Sequence, residues 1–173
     1  MNESALMIVL RLVHIFSGIF WAGTAALLAW FILPAQTALG QAGAAFMMDL
    51  MLRRRLRAYL MTAMILTLLS GIAMYAYLAM TTHGMWARST TAMVLGVGAV
   101  VGIIAGGIGG SIGSATAKKM AQLGATIQAA GGQATDAQRA EMAMLQARSH
   151  QALRIVSLLL IITIAAMASA RYL

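Results

Sequence analysis

Charged residues, cysteine and proline are all scarce in this chain of 173 residues. Only 9% of the residues are charged and 61% are hydrophobic, whereas about a quarter are charged in a typical soluble domain. With a mean hydropathy of +0.85, the chain has too little polar surface to cover a globule in water. The absence of cysteine excludes disulfides, thiolate metal sites, iron–sulfur clusters and cysteine nucleophiles. We therefore expect lipid to be the main solvent.

Acidic residues are the scarcest charged type, and all four lie outside the apolar stretches: Glu3, Asp49, Asp136 and Glu141. No carboxylate pair or relay is therefore available inside the apolar stretches for hydrolysis, two-metal chemistry or proton pumping. The glycine-rich run lies in an apolar helix rather than after a strand, which excludes a P-loop or dinucleotide fingerprint. We expect no catalytic activity of the chain's own; any activity would be that of a membrane oxidoreductase.

Four apolar stretches are long enough to cross a membrane, which takes roughly 20 helical residues for a core of about 30 Å. They predict an all-α integral membrane four-helix bundle, a single domain over residues 1–173. The expected spans are residues 5–33, 58–80, 89–115 and 152–171. The only proline, Pro34, falls where the first span should end. No Lys or Arg precedes that span, and it is too long for a signal peptide, so we expect it to be retained.

The distribution of Lys and Arg predicts the orientation. Nine of the 12 lie in the two long connections: Arg53, Arg54, Arg55, Arg57, Lys118, Lys119, Arg139, Arg148 and Arg154. The other three are Arg11, Arg88 and Arg171. The positive-inside rule then places both termini outside a bacterial inner membrane, with both long connections in the cytoplasm. Because this topology accounts for the net charge of +8, we expect lipid contacts and no nucleic-acid binding.

The second connection predicts a cytoplasmic helical hairpin over residues 116–150. Gly131 and Gly132 should end its first arm, and Thr135 with Gln138 forms a capping box that starts the second. This hairpin either stiffens the bundle or docks a partner. In the first connection, the apolar run before the arginines suits an interfacial helix, although topology alone explains the arginines.

Glycines recur every four residues in the third span: Gly98, Gly102, Gly106 and Gly110. Such a ridge lets another backbone approach closely. The group that approaches the ridge is either another helix of the same bundle or an external partner. That partner would be another membrane subunit, a second copy or a flat cofactor.

His14 is an ionisable residue within the first span, and such residues are costly to bury and often functional. At helical spacing His14 shares one face with Gly18, Trp21 and Ala25. This face could hold a porphyrin edge-on, with His14 as the iron ligand. Alternatively, His14 forms a hydrogen bond to a hydroxyl or carbonyl inside the bundle.

Other residues on the outer side could complete a haem site. His83 in the outer loop is a candidate second metal ligand, and Arg11 and Arg88 could pair with haem propionates. His150 should lie at the opposite membrane face. Three methionines are alternative sixth ligands: Met74, Met80 and Met85.

The first helix carries Leu12-Val13-His14, then Trp21-Ala22-Gly23 and Phe31-Ile32-Leu33-Pro34. In these motifs it resembles a group of small bacterial four-helix membrane proteins. The group includes copper-resistance D-type domains, the membrane domain of cytochrome-type urate oxidases and HemJ-type protoporphyrinogen oxidases. The resemblance implies a b-type haem bound through His14.

The function that follows is a small inner-membrane protein that binds one b-type haem near the outer face for electron transfer, as a subunit of a larger complex. The alternative is a cofactor-free accessory or scaffold subunit. It would pack through the ridge from Gly98 to Gly110 and through the cytoplasmic hairpin.

Overall fold

The computed structural model describes residues 3–173, with side chains from Ser4 onwards, and this part of the chain contains helices and no strands. The six α-helices are α1 (Glu3–Leu27), α2 (Leu33–Ala38), α3 (Gly40–Met48), α4 (Leu56–Thr81), α5 (Thr90–Ala129) and α6 (Asp136–Ser169). A short π-helical segment, Leu28–Ile32, joins α1 to α2, and a second one, Asp49–Arg53, follows α3. Single 3₁₀ turns lie at Trp86–Arg88 and Ala170–Tyr172.

Four helical stretches are long and apolar enough to cross a membrane: Ser4–Ala38, Leu56–Thr81, Thr90–Ala129 and Asp136–Tyr172. This confirms the prediction of an all-helical membrane protein with four candidate spans.

The sequence predicted that the first span ends at Pro34. In the structure this helical stretch continues past the proline to Ala38. The π-helical segment explains how proline is tolerated. Proline has no N–H to donate and its ring crowds the preceding turn. Here the N–H of Leu33 already bonds to the carbonyl of Leu28, five residues back, so the helix is wider before the proline.

The long helices pack mainly as two antiparallel pairs, α1 with α4 and α5 with α6. Smaller contacts between α1 and α6 and between α4 and α5 join the pairs. The buried cluster at their centre consists mostly of small or slender side chains around one indole: Trp21, Ala22, Ala25, Ala63, Ala105, Val156 and Leu160. Small residues allow the backbones to approach, which increases their dispersion contacts.

Both arms of the predicted hairpin are present as extensions of α5 and α6. Helix α5 has 40 residues, a length of roughly 60 Å at 1.5 Å per residue, so it extends well beyond one membrane thickness. The chain reverses at Gly131 and Gly132, whose φ angles are 94° and 81°. The capping box is confirmed, because Thr135 Oγ1 accepts from the N–H of Gln138 at 3.2 Å and Gln138 Oε1 accepts from the N–H of Thr135 at 2.9 Å.

Three of the four ridge glycines face helices of the same chain. A Cβ on Gly98 would lie 3.1 Å from the Cβ of Ala166, and one on Gly102 would lie 3.4 Å from Thr163 Cγ2. A Cβ on Gly106 would lie 3.3 Å from a methyl of Leu68 in α4. Gly110 has nothing within 4 Å of its Cβ position. The ridge is therefore largely used inside the bundle.

We predict that Gly98→Leu destabilises the bundle while Gly110→Leu does not. A leucine at Gly98 must force α5 from α6, and overpacking of this kind costs about 1–3 kcal/mol. At Gly110 the same side chain enters open space. Thermal unfolding in detergent should show a lower Tm for the first variant only. An equal loss at Gly110 would show that this glycine also lies in an interface.

Candidate functional site

His14 joins α1 to α4 through its Nδ1 atom, which lies 2.8 Å from the carbonyl oxygen of Thr67. Because a carbonyl oxygen only accepts, Nδ1 carries the hydrogen and donates it. In the neutral ring Nε2 is then the unprotonated nitrogen, and it makes no hydrogen bond within residues 3–173. A backbone bond of this type commonly fixes the tautomer and orientation of a histidine that binds a metal through its other nitrogen.

A glycine on α4 provides the space for the imidazole. A Cβ on Gly71 would lie 2.8 Å from His14 Cε1, closer than real Cβ contacts allow. The hydroxyl of Ser70, next to it, lies 3.4 Å from His14 Nδ1. The Ser70-Gly71 pair therefore shapes the place where the ring sits.

A second polar contact between α1 and α4 lies one turn from His14. Thr67 Oγ1 donates to Ser17 Oγ at 2.8 Å, and Ser17 Oγ donates to the carbonyl of Val13 at 2.5 Å. None of these three hydroxyl residues, Ser17, Thr67 and Ser70, was predicted from the sequence as part of the site. The available signal was that hydroxyls recur at helical spacing in otherwise apolar stretches.

The face predicted as a porphyrin groove is partly covered by α4. A Cβ on Gly18 would lie 3.5 Å from Thr67 Cγ2, so the backbone of α1 approaches a threonine side chain here. Trp21 is 7% exposed and belongs to the central cluster, as does Ala25. The structure thus places His14, Gly18, Trp21 and Ala25 towards the interior, with Gly18 and His14 against α4.

Burial divides the first helical stretch into two parts. No residue between Ser4 and Phe20 is buried, whereas six residues between Trp21 and Leu33 are: Trp21, Ala22, Ala25, Leu28, Ala29 and Leu33. The half that contains His14 therefore lies against α4 and is otherwise open. His14 itself is half-buried.

The structure does not bring His83 to His14. The imidazole of His14 lies beside Gly71, and from there α4 continues to Thr81, a rise of roughly 15 Å at 1.5 Å per residue. His83 lies beyond that end, exposed, with a φ of 49°. A single iron atom could not bind both side chains. Among the described residues no three His, Asp or Glu side chains form a metal-binding group.

The two arginines proposed for propionates are exposed and without carboxylate partners among the described residues. Arg11 is three residues before His14 on α1, a rise of roughly 4.5 Å. Arg88 ends the 3₁₀ turn before α5. Met74 lies on α4 one turn beyond Gly71, so it is the nearest to His14 of the three methionines considered as sixth ligands.

His150 lies away from these residues, on the arm of α6 before the apolar stretch begins, and beside Arg154. Burial, and then the positive charge of Arg154, lower the pKa of His150 below its ordinary value.

Comparison of the chain with protein-family models, curated proteins and solved structures gave no match. The resemblance of the first helix to haem-binding membrane proteins therefore stays a prediction.

We predict that Gly71→Ala destabilises the protein through His14. The new methyl group would displace the imidazole, at a cost of about 1–3 kcal/mol for overpacking. In a His14→Ala background most of that cost should disappear, a coupling of roughly 0.5–3 kcal/mol between neighbours. Detergent unfolding of the single and double variants measures it.

Gly23→Ala is the matched control, because nothing lies within 4 Å of that Cβ position on α1. It should be neutral or stabilising, since alanine favours helices over glycine by about 0.5–1 kcal/mol. If Gly71→Ala and His14→Ala changed the unfolding stability additively, this would contradict a contact between the two residues.

Proposed function

We propose that this protein is a multi-pass protein of a bacterial inner membrane, with both termini outside, and that it binds one b-type haem through Nε2 of His14. The observation that carries the haem assignment is the bond from His14 Nδ1 to the carbonyl of Thr67. It holds the ring between two helices and leaves Nε2 as the nitrogen that can bind iron.

The surroundings of His14 fit one histidine ligand better than two. Arg11 is near enough along α1 to pair with a propionate, and Met74 is the better placed candidate for the sixth position on α4. His83 is too distant for that position. A bound haem would supply one-electron transfer, and the chain's own contribution is to hold the ligand nitrogen in an apolar setting. We propose that the protein transfers electrons as a subunit of a larger complex.

A cofactor-free accessory subunit is the second candidate, and the contact of Gly18 with Thr67 favours it. That contact closes part of the face where a porphyrin would lie, and His14 already has a hydrogen-bond partner. The open outer half of α1 and the long arms of α5 and α6 would then be the surfaces that contact other subunits.

The orientation can be tested with reporter fusions at the two termini. The nine cationic residues of the two long connections favour the cytoplasmic side for both connections, which places both termini outside. Alkaline phosphatase should therefore be active when fused to either terminus, and green fluorescent protein should be dark when exported there. Fluorescence from a fusion at either terminus would contradict the topology.

The haem site can be tested by the visible spectrum of the purified protein. Wild-type protein should show a Soret band with reduced α and β bands, and His14→Ala should lose haem or become high-spin. His83→Ala and His150→Ala serve as controls, and both should keep the wild-type spectrum because neither lies near His14. Met74→Leu should convert a six-coordinate spectrum to a five-coordinate one. Colourless wild-type protein, even with excess haem supplied during expression, would leave the accessory subunit as the function.

A further inference from the structure

A groove separates the end of the first helical stretch from α6, and its volume is about 450 Å³. That is within the roughly 300–1,000 Å³ of small-molecule sites. Its apolar wall comes from the first stretch: Ala29, Leu33, Pro34 and Ala38. Its polar residues are Thr37 of α2 with His150 and Arg154 of α6. The groove therefore has one apolar side and one basic side.

The basic side is fixed in place by Trp30. The indole Nε1 donates to Ser157 Oγ at 3.0 Å, which ties the first stretch to α6 next to the groove. The guanidinium carbon of Arg154 lies 5.8 Å from the centroid of the Trp30 ring, within the range of a cation–π contact. His150 and Arg154 are four residues apart and so lie on the same face of α6.

Arg154 has no carboxylate partner within residues 3–173. The three ion pairs of this part of the chain use Asp49 and Asp136, and none of them includes Arg154. The other described acid on α6, Glu141, is more than three helical turns away. The basic side of the groove thus carries a positive charge that an external anion could neutralise.

The position of the groove indicates what kind of anion would bind. Arg154 immediately precedes the apolar part of α6, which starts at Ile155. This is the level at which the headgroups of the cytoplasmic leaflet would lie in the orientation proposed above. From this level the groove extends towards Pro34 and Ala38, which follow the first predicted span, so its Ala29 end would face the bilayer core. A phosphate bound here would lie at the depth of the lipid phosphates, whose acyl chains extend past that end.

We propose that this groove binds one anionic phospholipid, with its phosphate at Arg154 and His150 and an acyl chain that leaves the groove at its Ala29 end, towards the bilayer core. The proposal depends on the chain spanning a membrane and is independent of haem at His14. The phosphate contributes a charge-assisted contact with the guanidinium. The acyl chain supplies the apolar contact that a free phosphate ion lacks.

Native mass spectrometry of delipidated protein in detergent tests the proposal. Phosphatidylglycerol, the anionic probe, and phosphatidylcholine, whose choline offsets its charge, are titrated separately. Wild-type protein should retain one phosphatidylglycerol with at least fivefold higher affinity than phosphatidylcholine. Arg154→Gln should abolish this preference. Arg148→Gln, an exposed arginine on the same helix that does not line the groove, should keep it.

A second variant narrows the groove without changing the charge. Ala38 is exposed at the edge of the groove, so Ala38→Leu should fold and should occupy part of the space for the lipid headgroup. It should weaken phosphatidylglycerol binding at least threefold, and it keeps the test valid if Arg154→Gln does not fold.

Three results would overturn the proposal. Equal loss of preference in Arg154→Gln and Arg148→Gln would show that net charge alone attracts the lipid. Equal retention of the two lipids by wild-type protein would show ordinary apolar adhesion. Displacement of phosphatidylglycerol by millimolar inorganic phosphate would assign the groove to free phosphate.

Discussion

Helices that cross a lipid bilayer gain little by hiding apolar side chains from one another, because the lipid is equally apolar. Association then depends on close backbone approach and on the few polar groups that the helices can share. The two main helix pairs of this protein solve the problem differently. Helices α5 and α6 approach through glycine, at Gly98 and Gly102. Helices α1 and α4 share an imidazole and hydroxyl groups, at His14, Ser17 and Thr67.

This difference explains which features could be predicted from the sequence. Four spans follow from hydropathy, and the glycine ridge and capping box follow from spacing within one helix, so these are local properties. The carbonyl partner of His14 depends on the rotation of α4 against α1, which no local pattern specifies. The same holds for Gly18, because a glycine at helical spacing from a histidine can face either an empty groove or a neighbouring helix. Here it faces Thr67.

The continuation of the first helix past Pro34 shows another limit of sequence reasoning. Proline indicates a helix end because its missing N–H and its ring disturb the preceding turn. A π-helical turn at Leu28–Ile32 removes the conflict by changing the hydrogen-bond register before the proline. That turn is also held from outside, by the bond between Trp30 and Ser157, which are 127 residues apart. A contact so distant in the chain cannot be inferred from either segment alone.

The energetics of His14 bear on both proposed functions. Its Nδ1 is satisfied by the carbonyl of Thr67, whereas its Nε2 has no hydrogen bond in the described residues. Nε2 is not among the buried polar atoms that lack a partner in the described residues, so a group from outside the bundle can reach it. The half of α1 that contains His14 has no buried residue and leaves room for such a partner. A haem iron would satisfy Nε2 directly, and a donor from a helix of another subunit would do so by hydrogen bonding. In either case the constraint is the same, because the bond to Thr67 selects which nitrogen of the ring is left for that partner.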